Sequence, residues 1–166
     1  MRVLGIDPGT INLGYGVVDV NGEMQMVDCG VLKLSSRIPI EDRLCSLYVE
    51  LGKIVSRNRP DEVAIEEPFM GRNVRSAFSI GRAQAIAILA TANQGLPIYY
   101  YSPAQVKQQI TSYGQSDKQQ VWELVKVQLG LRQLHEPGDA ADALAVAICH
   151  IQQSRLNQWL TERSQL

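Results

Sequence analysis

The 166 residues predict an α/β fold, a five-stranded mixed sheet flanked by helices. Three strand-like runs come first, two of them joined by Asn21-Gly22, a strong hairpin signal. Two more short apolar runs follow later in the chain. Between and after them, apolar residues recur at helical spacing. The resulting order, β-β-β-α-β-α-β-α-α-α, calls for a sheet with both antiparallel and parallel neighbours.

In chain order, residues 3–7, 13–20 and 24–34 read as strands. Ile40, Leu44, Leu47, Tyr48, Leu51, Ile54 and Val55 are spaced for an amphipathic helix over 39–58. Pro60-Asp61 is a turn, and Glu62–Glu66 a short buried strand. Residues 74–93 read as a mostly apolar helix and 97–101 as the fifth strand. Tyr99, Tyr100 and Tyr101 are read as strand packing. Helices are expected near 103–112, 117–129 and 138–153. One domain over 1–151 is expected, then a polar tail, 152–166, in which Leu156, Trp159 and Leu160 are spaced to extend the last helix.

The length suits a single core, and 45% hydrophobic with 20% charged residues is ordinary for a globular chain. Cys29, Cys45 and Cys149 form an odd set without CxxC spacing, which argues against a disulfide framework and a zinc site. No apolar run approaches a membrane span, and a strand starting at residue 3 leaves no room for a signal peptide. A cytoplasmic protein is expected. The net charge of −1 hides an asymmetry. Residues 71–132 hold seven basic groups (Arg72, Arg75, Arg82, Lys107, Lys118, Lys126, Arg132) against two acids (Asp117, Glu123). That balance of +5 leaves −6 elsewhere, so a basic face toward an anionic polymer is compatible with the acidic total.

Four of the remaining acids are oddly placed: Asp7, Glu66, Asp139 and Asp142. Asp7 ends the apolar run Val3-Leu4-Gly5-Ile6, and Glu66 ends Val63-Ala64-Ile65. In strands, Val3, Gly5 and Asp7 share one face, as do Ala64 and Glu66. If the two strands are neighbours, both acids emerge side by side above small residues. Asp139 and Asp142 lie three apart, on one side of a helix whose alanines allow close approach to a sheet. Singly, each acid has an ordinary use: helix starts favour acids, and Asp before Pro-Gly makes a turn. Together they are costly near a core unless paired or holding a metal. The local supply of Lys and Arg is too small to pair them all. Convergence on divalent cations, and hence phosphodiester chemistry, is the sharper reading. His135 and His150 have no partner at ligand spacing and are assigned no function.

Four stretches carry a resemblance: Leu4-Gly5-Ile6-Asp7-Pro8-Gly9-Thr10, Ala64-Ile65-Glu66-Glu67-Pro68-Phe69-Met70, Gln105-Val106-Lys107-Gln108, and Asp139-Ala140-Ala141-Asp142-Ala143-Leu144-Ala145. In order and spacing, over nearly the whole chain, the sequence resembles the RuvC family of Holliday junction resolvases, nucleases of the ribonuclease H-like fold. The resemblance implies a magnesium-dependent endonuclease of recombination and repair. It would nick four-way DNA junctions in pairs, leaving 5′-phosphate and 3′-hydroxyl ends. It places the metal-binding, catalytic acids on Asp7, Glu66, Asp139 and Asp142, with Glu67 on the opposite face from Glu66. Two Mg²⁺ per subunit are implied, with Mn²⁺ able to substitute. Lys107 and Lys118 match basic positions near the scissile phosphate, Lys118 as a stabiliser of developing charge. Phe69 matches an aromatic wedge at the junction centre; Arg72 and Arg75 are expected on the DNA face from the +5 charge of residues 71–132. A junction with two symmetry-related strands to cut calls for a homodimer, and the resemblance implies the RuvA–RuvB branch-migration complex as a further partner. The chain departs from the pattern in its acidity, with a pI near 6.1, and in Glu67-Pro68 before the wedge position.

Two other classes share features with the chain. Gly5–Thr10 followed by Gly14 and Gly16 resembles the phosphate-binding turn of actin-like and sugar-kinase-like ATPases. That fold needs two such domains, however, and the chain has no second turn of this kind and no Walker A loop. A non-catalytic nucleic-acid-binding module would not need all four acids.

Overall fold

The computed structural model describes residues 1–67, 74–111, 117–132 and 138–163, with backbone alone at 74 and 75. Phe69 and Arg72, the side chain of Arg75, and His135 therefore lie outside the described residues.

Strands β1 (Arg2–Asp7), β2 (Asn12–Asn21), β3 (Glu23–Lys33), β4 (Glu62–Glu66) and β5 (Ile98–Tyr101) form one sheet in the order β3-β2-β1-β4-β5. β1 pairs antiparallel with β2, and β2 with β3, whereas β1–β4 and β4–β5 are parallel. The mixed five-stranded sheet is thus as expected. The hairpin is tighter than the two-residue loop expected. Asn21 still pairs with Glu23, and Gly22 alone makes the turn at φ +85°, a backbone state that favours glycine.

Among the described residues five helices flank the sheet: α1 (Ile40–Asn58), α2 (Val74–Ala92), α3 (Pro103–Thr111), α4 (Lys118–Gln128) and α5 (Gly138–Arg163). Strand alternation sorts the core into two layers. Leu4, Ile6, Val63 and Ile65 bury against α1 and α2, where Leu47, Leu51, Ile54, Ala83 and Ala87 meet them. Val3 and Ala64 point the other way, into a layer filled by α3, α4 and α5. Gly5, Asp7 and Glu66 share that second face by register. Helix α5 is a single element well past the core. Residues 140 to 151 are buried apart from Asp142, and the helix continues through the polar segment to Arg163. The tyrosines of β5 divide: Tyr101 is buried, whereas Tyr99 and Tyr100 are 40% and 44% exposed, Tyr99 with one side of its ring packed on His150. β5 is an edge strand, which leaves those two rings at the rim of the sheet.

Candidate active site

Asp7 and Glu66 end adjacent parallel strands, one step beyond the paired residues Ile6 and Ile65. The helix that brings Asp139 and Asp142 to them lies directly on the sheet. A Cβ at Gly5 would come 2.1 Å from the Ala143 carbonyl, and one at Gly14 would come 1.9 Å from that of Asp139. Any side chain at either position would push α5 away. Gly14 and Gly16, which resemble a phosphate-binding turn in the sequence, serve here as a seat for α5: Gly16 faces Leu144 in the same way.

The seat places three carboxylates together. Oxygen atoms of Asp7, Asp139 and Asp142 all lie within 4.8 Å of one another, the one such cluster among the described residues. Glu66 stands outside that set of three but close enough to feel its charge. Burial, then the charges of Asp142 and Asp139, push the Asp7 carboxyl up to about 7. Burial, then Asp7 and Asp142, push Glu66 up to about 8. Two like charges 4.8 Å apart repel by about 3–4 kcal/mol at an effective dielectric near 20. An all-carboxylate cluster in this condition fits a hard divalent cation such as Mg²⁺ or Mn²⁺, which oxygen donors select.

Helix α4 supplies the cationic wall. Asp117 caps it, accepting from Gln120 N at 2.8 Å while the Gln120 side chain accepts from Asp117 N at 3.2 Å. This fixes Lys118 at the first helical position. Lys118 Nζ donates to Asp142 Oδ2 at 2.8 Å, and that bond holds the ammonium pKa above its ordinary value. The Lys118 side chain is 70% exposed and that of Asp142 16%, so the cation can reach solvent while its partner stays with the cluster. Lys107, from α3, joins Glu66, Lys118 and Asp142 around a cleft of about 190 Å³. The structure thus brings six of the sequence-selected residues together: four acids and two lysines. Glu67 is exposed beyond the end of β4.

Two neighbours escaped the sequence reading. Trp122 Nε1 donates to Asp142 Oδ1 at 3.4 Å; its spacing from Lys118, one helical turn, is the signal that could have found it. His150, assigned no function, is buried and spans three elements. Nδ1 pairs with the Tyr101 hydroxyl at 2.7 Å and Nε2 with Glu62 at 2.6 Å, while Tyr99 packs on the ring. Its partners lie 49 and 88 residues away, beyond any local pattern. Burial, ahead of the neighbouring groups, pushes the Tyr101 phenol up to about 12.

Comparison with known proteins identifies the family. Residues 3–150 match the family described as crossover junction endodeoxyribonuclease RuvC. A protein of that name from Chloroflexus aurantiacus is 47% identical over 151 residues, covering 90% of this chain and 92% of its own. Another, from Dehalococcoides mccartyi, is 46% identical with 90% coverage of each. The structure of Thermus thermophilus RuvC in complex with a Holliday junction substrate superposes with a TM-score of 0.89 at 36% identity, covering 95% of this chain and 96% of that one. The fold is the ribonuclease H-like one that the resemblance implied. On a matched family spanning nearly the whole chain, and relatives far above 30% identity, this protein belongs to the RuvC family of crossover junction endodeoxyribonucleases.

Proposed function

We propose that the chain resolves four-way DNA junctions by paired, symmetric nicks that leave 5′-phosphate and 3′-hydroxyl ends, in recombination and repair. The observation that carries the mechanism is the placing of Asp7, Asp139 and Asp142 within 4.8 Å, beside Glu66 and under two lysines. Asp7, Glu66, Asp139 and Asp142 would hold two Mg²⁺ ions, with Mn²⁺ as a substitute. Bound there, the cations would supply a lowered pKa for the attacking water and charge neutralisation at the leaving 3′ oxygen. The chain's own residues do the rest. The crowded carboxylates, reluctant to ionise together, favour a cationic partner. Lys118 and Lys107 offer positive charge at the rim of the cleft, where a phosphate would enter. Lys118 is assigned to the charge that grows in the transition state. Phe69 is assigned to wedging the junction open, and Arg72 and Arg75 to the DNA backbone.

A homodimer fits a substrate with two symmetry-related strands to cut. Helix α2 supports it: Ala83 and Ala87 bury against the sheet, while Phe78 and Leu89 remain 67% and 49% exposed on the outside. Among the described residues no helix is long and apolar enough to cross a membrane. A cytoplasmic location and cooperation with the RuvA–RuvB branch-migration complex complete the reading. The test offers a mobile four-way junction, linear duplex and ATP in parallel, with and without Mg²⁺. Magnesium-dependent paired nicks on the junction alone are expected. ATP turnover, or equal cutting of linear duplex, would overturn the proposal.

A further inference from the structure

We propose that Trp122 is a positioning residue for Asp142 and sets how tightly the acid cluster takes a divalent cation. The inference rests on the metal-dependent reading above. Helix α4 meets the first turns of α5 with two side chains one turn apart. Lys118 donates to Oδ2 of Asp142 at 2.8 Å, and Trp122 donates to Oδ1 at 3.4 Å. Each carboxylate oxygen therefore has its own donor, and the plane of the carboxylate is fixed by both.

The indole also fixes the start of α5. A Cβ at Gly138 would lie 2.8 Å from Cζ2 of Trp122, so the helix backbone rests on the ring. Asp139 is the next residue. One side chain thus meets the acid-bearing segment at both ends, at Gly138 and at Asp142.

The two α4 donors differ in kind. Lys118 is a flexible cation with most of its side chain in solvent, able to turn toward an incoming phosphate. Trp122 is partly buried and has only two side-chain torsions, so it stays. A neutral N–H that remains in place keeps Asp142 aimed without adding a competing positive charge. Donors of this kind, behind ligating carboxylates, are worth roughly 10–100-fold in metal affinity. At 3.4 Å the lower end of that range applies.

The test titrates Mg²⁺ and, separately, Mn²⁺ into the full chain by calorimetry without DNA. Single-turnover nicking against Mg²⁺ concentration is measured alongside. Trp122→Phe keeps an aromatic ring but removes the N–H together with the distal indole carbons that meet Gly138, carbons that histidine lacks as well, so the comparison with Trp122→His isolates the N–H. It should weaken metal binding about tenfold, leave junction affinity in EDTA unchanged, and recover the wild-type maximal rate once metal is saturating. Trp122→His returns an N–H near the same place, because imidazole Nε2 and indole Nε1 occupy corresponding ring positions. It should regain most of the lost affinity. Wild-type metal affinity in Trp122→Phe would overturn the inference. So would equally weak binding in both variants, since packing alone would then explain the loss. Asp142→Asn separates this from the reading beneath it. If that variant also binds metal as the wild type does, the metal site itself is misassigned. If it loses metal while Trp122→Phe does not, only the role of Trp122 fails.

Discussion

Replacing Asp7 with asparagine should make the protein more stable while ending its catalysis. The folded state raises this carboxyl from 3.8 to about 7, chiefly by burial and then by Asp142 and Asp139. A group bound to its proton more tightly when folded opposes folding once the pH exceeds its unfolded value. Stability is therefore lost as pH rises from about 4 to about 7, and stays low above that. With about 1.4 kcal/mol per unit, the ionised Asp7 costs about 4 kcal/mol at pH 8 and under about 1 kcal/mol at pH 4. Asn carries no charge but leaves a buried amide imperfectly paired, at about 1–3 kcal/mol. The net gain should be roughly 1–3 kcal/mol at pH 8, a rise in Tm of roughly 3–10 °C for a chain of this size. Because Asp7 is the leading charge acting on Glu66, its removal also relaxes that neighbour, so the two shifts are not additive. The assay is thermal unfolding in EDTA at pH 4 and pH 8, repeated at pH 8 with Mg²⁺. Magnesium at 100 times its Kd should return about 2.7 kcal/mol to the wild type and little to the variant. An Asp7→Asn protein no more stable than wild type at pH 8, or stabilised equally at pH 4, would refute the reasoning.

Further outcomes rest on the close approach of α5, on the lysine beside the acid cluster, and on the basic charge of residues 71–132. Gly14→Ala places a Cβ 1.9 Å from the Asp139 carbonyl, so α5 must lift; Tm should fall by an amount matching about 1–3 kcal/mol or more, with nicking lost. Gly81→Ala, where nothing lies within 4 Å, should by contrast gain about 0.5–1 kcal/mol as a helix-interior substitution, which makes it the control in the same melts. Lys118→Ala should reduce the single-turnover rate at saturating junction by about 10²-fold with little change in affinity; normal cleavage once saturated would make the lysine a phosphate anchor only. Junction affinity should fall steeply with salt, and Arg72→Ala or Arg75→Ala should each flatten the log–log slope by about 0.9, as measured by titration at several salt concentrations with cleavage rate at saturation unchanged.

What the sequence could and could not disclose follows from how far apart the interacting groups are. The acids at the ends of β1 and β4 were legible because an apolar run that closes on a carboxylate contradicts its own burial, and period-2 alternation says which face that carboxylate takes. Asp139 and Asp142 were legible as a helical pair, and the alanines between and after them as room for close approach. The other half of that approach was not. Gly14 and Gly16 sit on β2, over 120 residues before the helix they admit, so in one dimension they look like part of a glycine-rich turn. Only the register of β2 against β1 turns them, with Gly5, into a continuous bare track, and the helix backbone occupies that track at Asp139 and Ala143. Trp122 and His150 escaped for the same reason: each has a plain helical position locally, and its meaning comes from partners 20 to 88 residues away. Both act on the same helix. His150 ties α5 to Glu62 and Tyr101, eight residues or about 12 Å along the helix from Asp142; Glu62 and Glu66 are four residues or about 13 Å apart along β4. Helix and strand are thus joined at matching lengths, by His150 with Glu62 at one end and by the acid cluster at the other. The glycine track sets how close α5 lies, and the His150 clasp sets where along the sheet it stops. The position of the four carboxylates is the product of both.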